Sequence, residues 1–205
     1  MEDAVIRYIE SFIRPPLLLE ELDREYDTRS GIQPSIGPIT GAVLRWLVLA
    51  LPVRQALEFG TCLGYSTIIL ANALRQTGGH LTAVELRHDL VEETRHNLSQ
   101  AGLTDVVTLI EGDAAAVLPA LPGPFDLILQ DSDKALYTRL LEDCLEKLRP
   151  GGVLAADDTL FLPMGIPEKF SQPVDGYNRR VFSDPRLESV ILPVGDGLTL
   201  SWKRP

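Results

Sequence analysis

Asp131, Lys134 and the pair Asp157-Asp158 have the side-chain types and spacing for cation chemistry. Each acidic position follows an apolar run, residues 125–130 and 153–156. If those runs are neighbouring strands, the carboxylates meet at one edge of a sheet. Three hard oxygen donors suit Mg²⁺, which keeps open positions for water or substrate. The other reading is structural, with Asp157-Asp158 in a turn and Asp131 capping a helix. Lys134 lies one helical step beyond Asp131. Beside a bound dication and partly dry, such a lysine has a lowered pKa and acts as a base. Its structural alternative is a surface ion pair.

A second group surrounds the stretch Glu58-Phe59-Gly60-Thr61-Cys62-Leu63-Gly64-Tyr65-Ser66-Thr67, which closes an apolar run and opens a helical pattern. A glycine-containing turn between a buried strand and a helix brings backbone against a nucleotide-like ligand. The turn carries a carboxylate and lacks the third glycine of a dinucleotide fingerprint, which narrows the ligand. Glu85 ends the next apolar run, where a carboxylate can accept hydrogen bonds from ribose hydroxyls. Gly112-Asp113-Ala114 follows a third run. Many acids at one sheet edge repel one another and call for a cation.

The elements that must position these residues alternate from residue 53 onward. Strands are expected over residues 55–60, 80–86, 106–111, 125–130 and 153–156. Helices are expected over 66–74, 88–100, 114–121 and 136–148, with Gly102 at a C′ position. Residues 163–173 read as a Pro- and Gly-rich loop, and 177–182 as a helix. Strands over 188–194 and 198–203 join through Gly195-Asp196-Gly197 as a hairpin. This order predicts an α/β fold with a mostly parallel sheet and one inserted antiparallel strand. Helices over 4–13, 17–26 and 40–51 precede it. The expectation is one domain over 1–205, with an N-terminal helical cap (1–51) on an α/β core (53–205).

Composition limits the partners. The chain has 205 residues, 45% hydrophobic and 23% charged, with a formal net charge of −10. Such a surface repels a polyanionic backbone, and Arg179-Arg180 and Lys203-Arg204 make no basic stripe,. Nucleic acid is therefore not an expected partner. No apolar run reaches the roughly 20 residues that span a bilayer. Met1-Glu2-Asp3 lacks a basic signal-peptide start, so the chain reads as cytoplasmic,. Cys62 and Cys144 have no metal-type spacing and read as reduced thiols. His80, His88 and His96 read as solvated surface residues.

The motifs occur in a telling order. The 58–67 stretch, Gly112-Asp113-Ala114, Asp131-Ser132-Asp133-Lys134, the 151–158 stretch, Tyr177-Asn178 with Asp184-Pro185-Arg186, and the 192–198 stretch follow one another. Together they resemble the cation-dependent O-methyltransferases of the catechol and caffeoyl-CoA type, from about Ile36 to the C-terminus. The resemblance implies a Rossmann-like class I methyltransferase fold with a seven-stranded sheet, and S-adenosylmethionine as methyl donor. It implies a divalent cation, Mg²⁺ first with Mn²⁺ or Ca²⁺ as alternatives. Glu58, Gly60, Thr61 and Ser66 would surround the methionine part of the donor, with Ile36 covering it. Glu85 would hold the ribose, Asp113 and Ala114 would frame the adenine, and Asp131 and Asp133 would complete the donor site. Asp131, Asp157 and Asp158 would bind the metal, and Lys134 and Asp131 would be catalytic. The substrate would be a small hydroxylated aromatic whose two neighbouring oxygens chelate the cation. One oxygen would stand in line with the sulfonium methyl. The family usually has asparagine where this chain has Asp158, which makes the expected metal site more negative.

Other readings keep parts of this pattern. A metal-independent methyltransferase would use the same donor on carbon, nitrogen or a carboxylate. A nucleotide-binding dehydrogenase is opposed by the missing G-x-G-x-x-G. A non-catalytic binding module would use the acids to hold a regulatory ligand, which an intact Lys134 argues against. The apolar 43–51 segment could pack on its own sheet or on a partner in a homodimer.

Overall fold

A computed structural model describes residues 2–51 and 53–205. Met1, part of the N-terminal reading above, lies outside the described residues. Seven strands form one sheet: β1 (Gln55–Phe59), β2 (His80–Glu85), β3 (Val107–Glu111), β4 (Phe125–Gln130), β5 (Leu148–Ala156), β6 (Leu187–Leu192) and β7 (Leu198–Lys203). Their order is β3-β2-β1-β4-β5-β7-β6. Strands β1 to β5 pair in parallel, and β7 runs antiparallel to both β5 and β6. The expected single antiparallel strand is therefore β7. The chain order reverses between β1 and β4, the crevice where ligands bind in such sheets,.

Side chains that alternate along each strand feed two cores. Ala56, Leu127, Leu129, Val153 and Ala155 face one core. Leu57, Phe59, Ile128, Leu154 and Ala156 face the other. The first core is closed by α2 (Leu17–Thr28), α3 (Gly37–Ala50), α4 (Tyr65–Thr77) and α5 (His88–Gln100). The second is closed by α6 (Ala114–Val117) with the following 3-10 turn, α7 (Leu136–Lys147) and α8 (Glu168–Ser183). Helix α1 (Glu2–Glu10) leaves Val5, Ile6, Tyr8 and Ile9 exposed. Helix α3 divides the apolar 43–51 segment: Leu44, Leu47 and Val48 are buried while Trp46 and Leu49 are exposed. No helix among the described residues is long and apolar enough to cross a membrane.

Two elements depart from expectation. Helix α8 begins at Glu168, nine residues before the expected start at 177, and runs through Pro173. Its buried stripe, Ser171, Val174, Tyr177 and Val181, keeps helical spacing across the proline,. Packing of that stripe outweighs the lost N–H, whose acceptor would be the carbonyl of exposed Lys169,. Strand β5 begins at Leu148 rather than 153 and includes Pro150-Gly151-Gly152. Its register jumps there: Phe125 faces Leu148 but Leu127 faces Val153. The extra residues bulge out, and the glycines suit that backbone.

Candidate active site

The β1–α4 turn is built around Gly60, whose φ is +87°. A Cβ there would lie 2.3 Å from the Asp131 carbonyl oxygen, so only glycine lets the β1 and β4 ends approach,. The turn is then tied down by neighbours. Glu85 Oε2 accepts from the Thr61 and Cys62 N–H groups at 3.0 and 3.1 Å. Its Oε1 accepts from the Arg87 N–H at 3.0 Å. Both Glu85 oxygens thus serve the backbone, and only their remaining lone pairs are left for ribose hydroxyls. Tyr26 of α2 accepts from the Leu63 N–H at 2.9 Å, and Thr94 Oγ1 donates to the Cys62 carbonyl at 2.8 Å.

A cavity of about 460 Å³ opens above this turn. Of the residues expected to hold the methyl donor, Ile36, Gly60, Thr61, Ser66, Glu85, Asp113, Ala114, Asp131 and Asp133 all line it. Asp113 caps α6 through the Ala115 N–H, and Asp133 accepts from the Ala135 N–H. Tyr26 and residues 31–35 also line the cavity, so the N-terminal segment closes one wall. No local pattern points to Tyr26, because helix packing alone brings it to the turn.

Glu58 is fully buried two residues before Gly60, and neither of its oxygens has a hydrogen-bond partner. Desolvation pushes its carboxyl up to about 8; the nearby Ser66 and Thr67 hydroxyls oppose this, while Asp131 and Glu85 add to it. A buried, unpartnered carboxylate suits a cationic ligand group. Glu58 does not itself line the cavity, yet that orphan beside the Gly60 cradle fits the amino-acid end and backbone-hugging shape of the expected donor.

The second corner lies at the ends of β4 and β5. Asp131, Asp157 and Asp158 offer carboxylate oxygens within 4.8 Å of one another, close enough for a single dication,. Asp157 is buried, and its Oδ1 has no partner. Burial pushes the Asp157 carboxyl well above its ordinary value, and the charges of Asp131 and Asp158 push it further. Burial also raises Asp131, to about 6, with Lys134 opposing and Asp158 reinforcing the shift. Asp158 has a φ of +62°, a left-handed backbone that Asn and Asp tolerate best among side-chain-bearing residues,. This backbone fits the turn reading of Asp157-Asp158, and the turn still leaves both carboxylates at the corner.

Lys134 Nζ contacts Asp158 Oδ2 at 2.7 Å and Asp131 Oδ1 at 3.2 Å. It also donates to Tyr137 Oη at 2.9 Å, and Tyr137 donates to the Asp157 carbonyl at 3.2 Å. Lys134 is thus buried, which rules out the surface ion pair. The lowering of its pKa expected beside a bound dication would have to overcome the protein's own charges. Burial alone would lower it, but Tyr137, Asp131 and Asp158 outweigh burial and hold the ammonium well above its ordinary value. Tyr137 was missed, although its place three residues after Lys134 on a helix start puts the two side chains on one face.

Behind this corner the Tyr177-Asn178 motif has a positioning task. Asn178 Nδ2 donates to the Thr159 carbonyl at 2.7 Å, and Thr199 Oγ1 donates to Asn178 Oδ1 at 2.9 Å. The Thr159 N–H reaches the Gly197 carbonyl at 3.0 Å. These bonds fix the chain directly after Asp158. The histidines stand away from both corners: His80 contacts Thr108, His88 pairs with Glu111 and His96 contacts Gln100.

Comparison with known proteins extends these observations. A family model described as O-methyltransferase matches residues 10–204, so the likeness begins well before Ile36. The chain is 33% identical to a catechol O-methyltransferase of Niastella koreensis over 181 residues, covering 82% of this chain and 81% of that protein. It is 30% identical to caffeoyl-CoA O-methyltransferase 1 of Eucalyptus globulus over 175 residues, covering 78% and 71%. Among solved structures, the O-methyltransferase TomG from Streptomyces achromogenes in complex with SAM superposes with a TM-score of 0.85 at 26% identity, covering 98% of this chain and 96% of that one. An O-methyltransferase from Bacillus cereus in complex with SAH gives 0.83 at 26% identity, covering 98% and 97%.

Proposed function

The chain belongs to the O-methyltransferase family, and we propose that it is a cation-dependent member that methylates a hydroxyl of a catechol-like or hydroxycinnamoyl-type small molecule from S-adenosylmethionine. The observation that carries this reading is the unpartnered, buried Asp157 Oδ1 among three carboxylates, beside the cavity and next to Lys134.

Asp131, Asp157 and Asp158 would hold the divalent ion. When bound, that ion supplies positive charge that favours the ionised form of an acceptor hydroxyl. Glu58 would meet the donor's amino group, and the Gly60 turn would lie against its methionine part. Glu85, Asp113 and Ala114 would hold the nucleoside, with Ile36 and Asp133 over the opening. Lys134 would be the general base, since a divalent ion held by the carboxylates would weaken their hold on the proton at Nζ. In the transfer, the acceptor oxygen forms the new O–CH3 bond with its own electron pair. The S–CH3 bond breaks and its electrons stay on sulfur, which becomes neutral. The hydroxyl proton passes to Lys134 and then to solvent.

Free cysteines Cys62 and Cys144 support a reducing, cytoplasmic setting,. The exposed apolar side of α1, with Trp46 of α3, supports a homodimer,. The test is turnover of a catechol with the methyl donor before and after chelation. Chelator abolishes methyl transfer and added Mg²⁺ restores it; full activity in chelator would favour a metal-independent methyltransferase instead.

A further inference from the structure

The charges around the candidate site discriminate among acceptors. The connections at the carboxyl edge of the sheet, together with residues 29–36, of which 31–36 line the cavity, hold acids in excess: Asp113, Asp131, Asp133, Asp157, Asp158 and Asp196. The same segments hold three basic side chains, and each is already paired. Arg29 binds Glu25 and Glu93, Arg87 binds Asp89 and the Gly31 carbonyl, and Lys134 binds Asp131 and Asp158. Lys169, just inside α8, lies over the Phe170 ring. The loop between Asp158 and Pro167 carries no basic residue and exposes Leu162 and Met164.

Asp196 matters most among these acids. It sits at the β6–β7 turn, where its backbone carbonyl accepts from the Leu160 N–H at 2.8 Å. That bond ties the turn to the loop after Asp158. The Asp196 carboxylate feels the charges of Asp158 and Lys134 across this contact. A dication and Lys134 together do not neutralise Asp131, Asp157, Asp158 and Asp196, so the corner stays net negative.

We propose that the acceptor is a compact vicinal diol, neutral or cationic, and that polyanionic thioesters of a phosphorylated nucleotide carrier are rejected. The inference rests on the methyltransferase reading above and narrows it. A carrier with several phosphates needs several free guanidinium or ammonium partners; among the described residues these segments offer none, and Lys169 is a single ammonium beside them. A small diol needs only the cation and apolar contact, and the exposed Leu162 and Met164 lie in the loop that follows Asp158. A protonated amine on the acceptor gains from the surplus carboxylates.

The test compares kcat/KM for catechol, dopamine, 3,4-dihydroxybenzoate and caffeoyl-CoA on the full chain with Mg²⁺, at low and high salt. Dopamine and catechol are expected to exceed caffeoyl-CoA by about 100-fold at low salt, with the gap narrowing as salt screens the field. Caffeoyl-CoA turned over as well as catechol would overturn the inference while leaving the methyltransferase reading intact. Binding of S-adenosylhomocysteine without methylation of any diol would overturn both. Asp196→Asn supplies the second arm. It should raise kcat/KM on 3,4-dihydroxybenzoate relative to catechol by about threefold. An equal change on both acceptors would mean that Asp196 only supports the turn, and would count against the inference.

Discussion

At the end of β1 the turn around Gly60 closes its own hydrogen bonds. Thr61, Cys62 and Leu63 each find an acceptor, supplied by Glu85 or Tyr26. At the ends of β4 and β5 the opposite holds. Three carboxylates crowd one ammonium, and a buried Asp157 oxygen stays unpartnered. The turn backbone of the first region is complete as folded and presents a formed wall to a ligand, with the buried Glu58 carboxylate as its orphan. The second crowds like charge, which a divalent ion held there would relieve,. Substitutions should therefore act with opposite signs on stability in the two regions, while both lower activity.

The largest effect is expected at Asp131, which borders both regions. Asp131→Ala should lower kcat by about a thousandfold or more, since a metal ligand contributes several kcal/mol of charge stabilisation. Steady-state turnover in saturating Mg²⁺ measures it. Gly60→Ala comes next. The added Cβ meets the Asp131 carbonyl in a left-handed backbone, so it should cost about 2–4 kcal/mol of stability,. Denaturant midpoints read that loss directly.

Asp157→Asn sharpens the contrast because its sign is reversed. The folded Asp157 pKa lies above its unfolded value near 3.8. Below that value the group makes no difference; as pH rises the unfolded chain ionises freely while the fold resists, and stability falls. The amide removes that burden, so chelator-treated Asp157→Asn should be more stable than the parent at neutral pH by about 1–3 kcal/mol. The gain should shrink toward pH 4, while methyl transfer is lost. Equal stability of the two proteins at every pH would show that the acid corner carries no strain.

The smallest change is Tyr26→Phe, which removes one acceptor from the complete region. The Leu63 N–H loses its partner, at a cost of about 1 kcal/mol,. Calorimetry should find S-adenosylhomocysteine bound about fivefold more weakly.

The sequence shows strand ends well because each apolar run stops abruptly at an acid or a glycine. That is why Gly60, Glu85, Asp113, Asp131 and Asp157 could be placed at one edge before any coordinates. Helix α8 was legible only in part, because Pro173 and Gly176 mask a buried stripe that packing enforces. Tyr26 lies on a separate helix, and no local spacing links it to Leu63. The charge state of Lys134 depends on two carboxylates converging in space, which residue type and local spacing do not reveal. Glu85 shows a subtler limit: its position at a strand end suggested a ligand contact, whereas its first partners are backbone amides of the neighbouring turn.

Mn²⁺ titration followed by electron paramagnetic resonance tests the central claim most directly, with the S-adenosylhomocysteine-loaded chain in chelator-free buffer. The account predicts one bound ion per chain, lost when Asp131 and Asp157 are both changed to alanine while S-adenosylhomocysteine still binds. Binding of Mn²⁺ at undiminished strength in that double variant, or no binding by the parent protein, would contradict it.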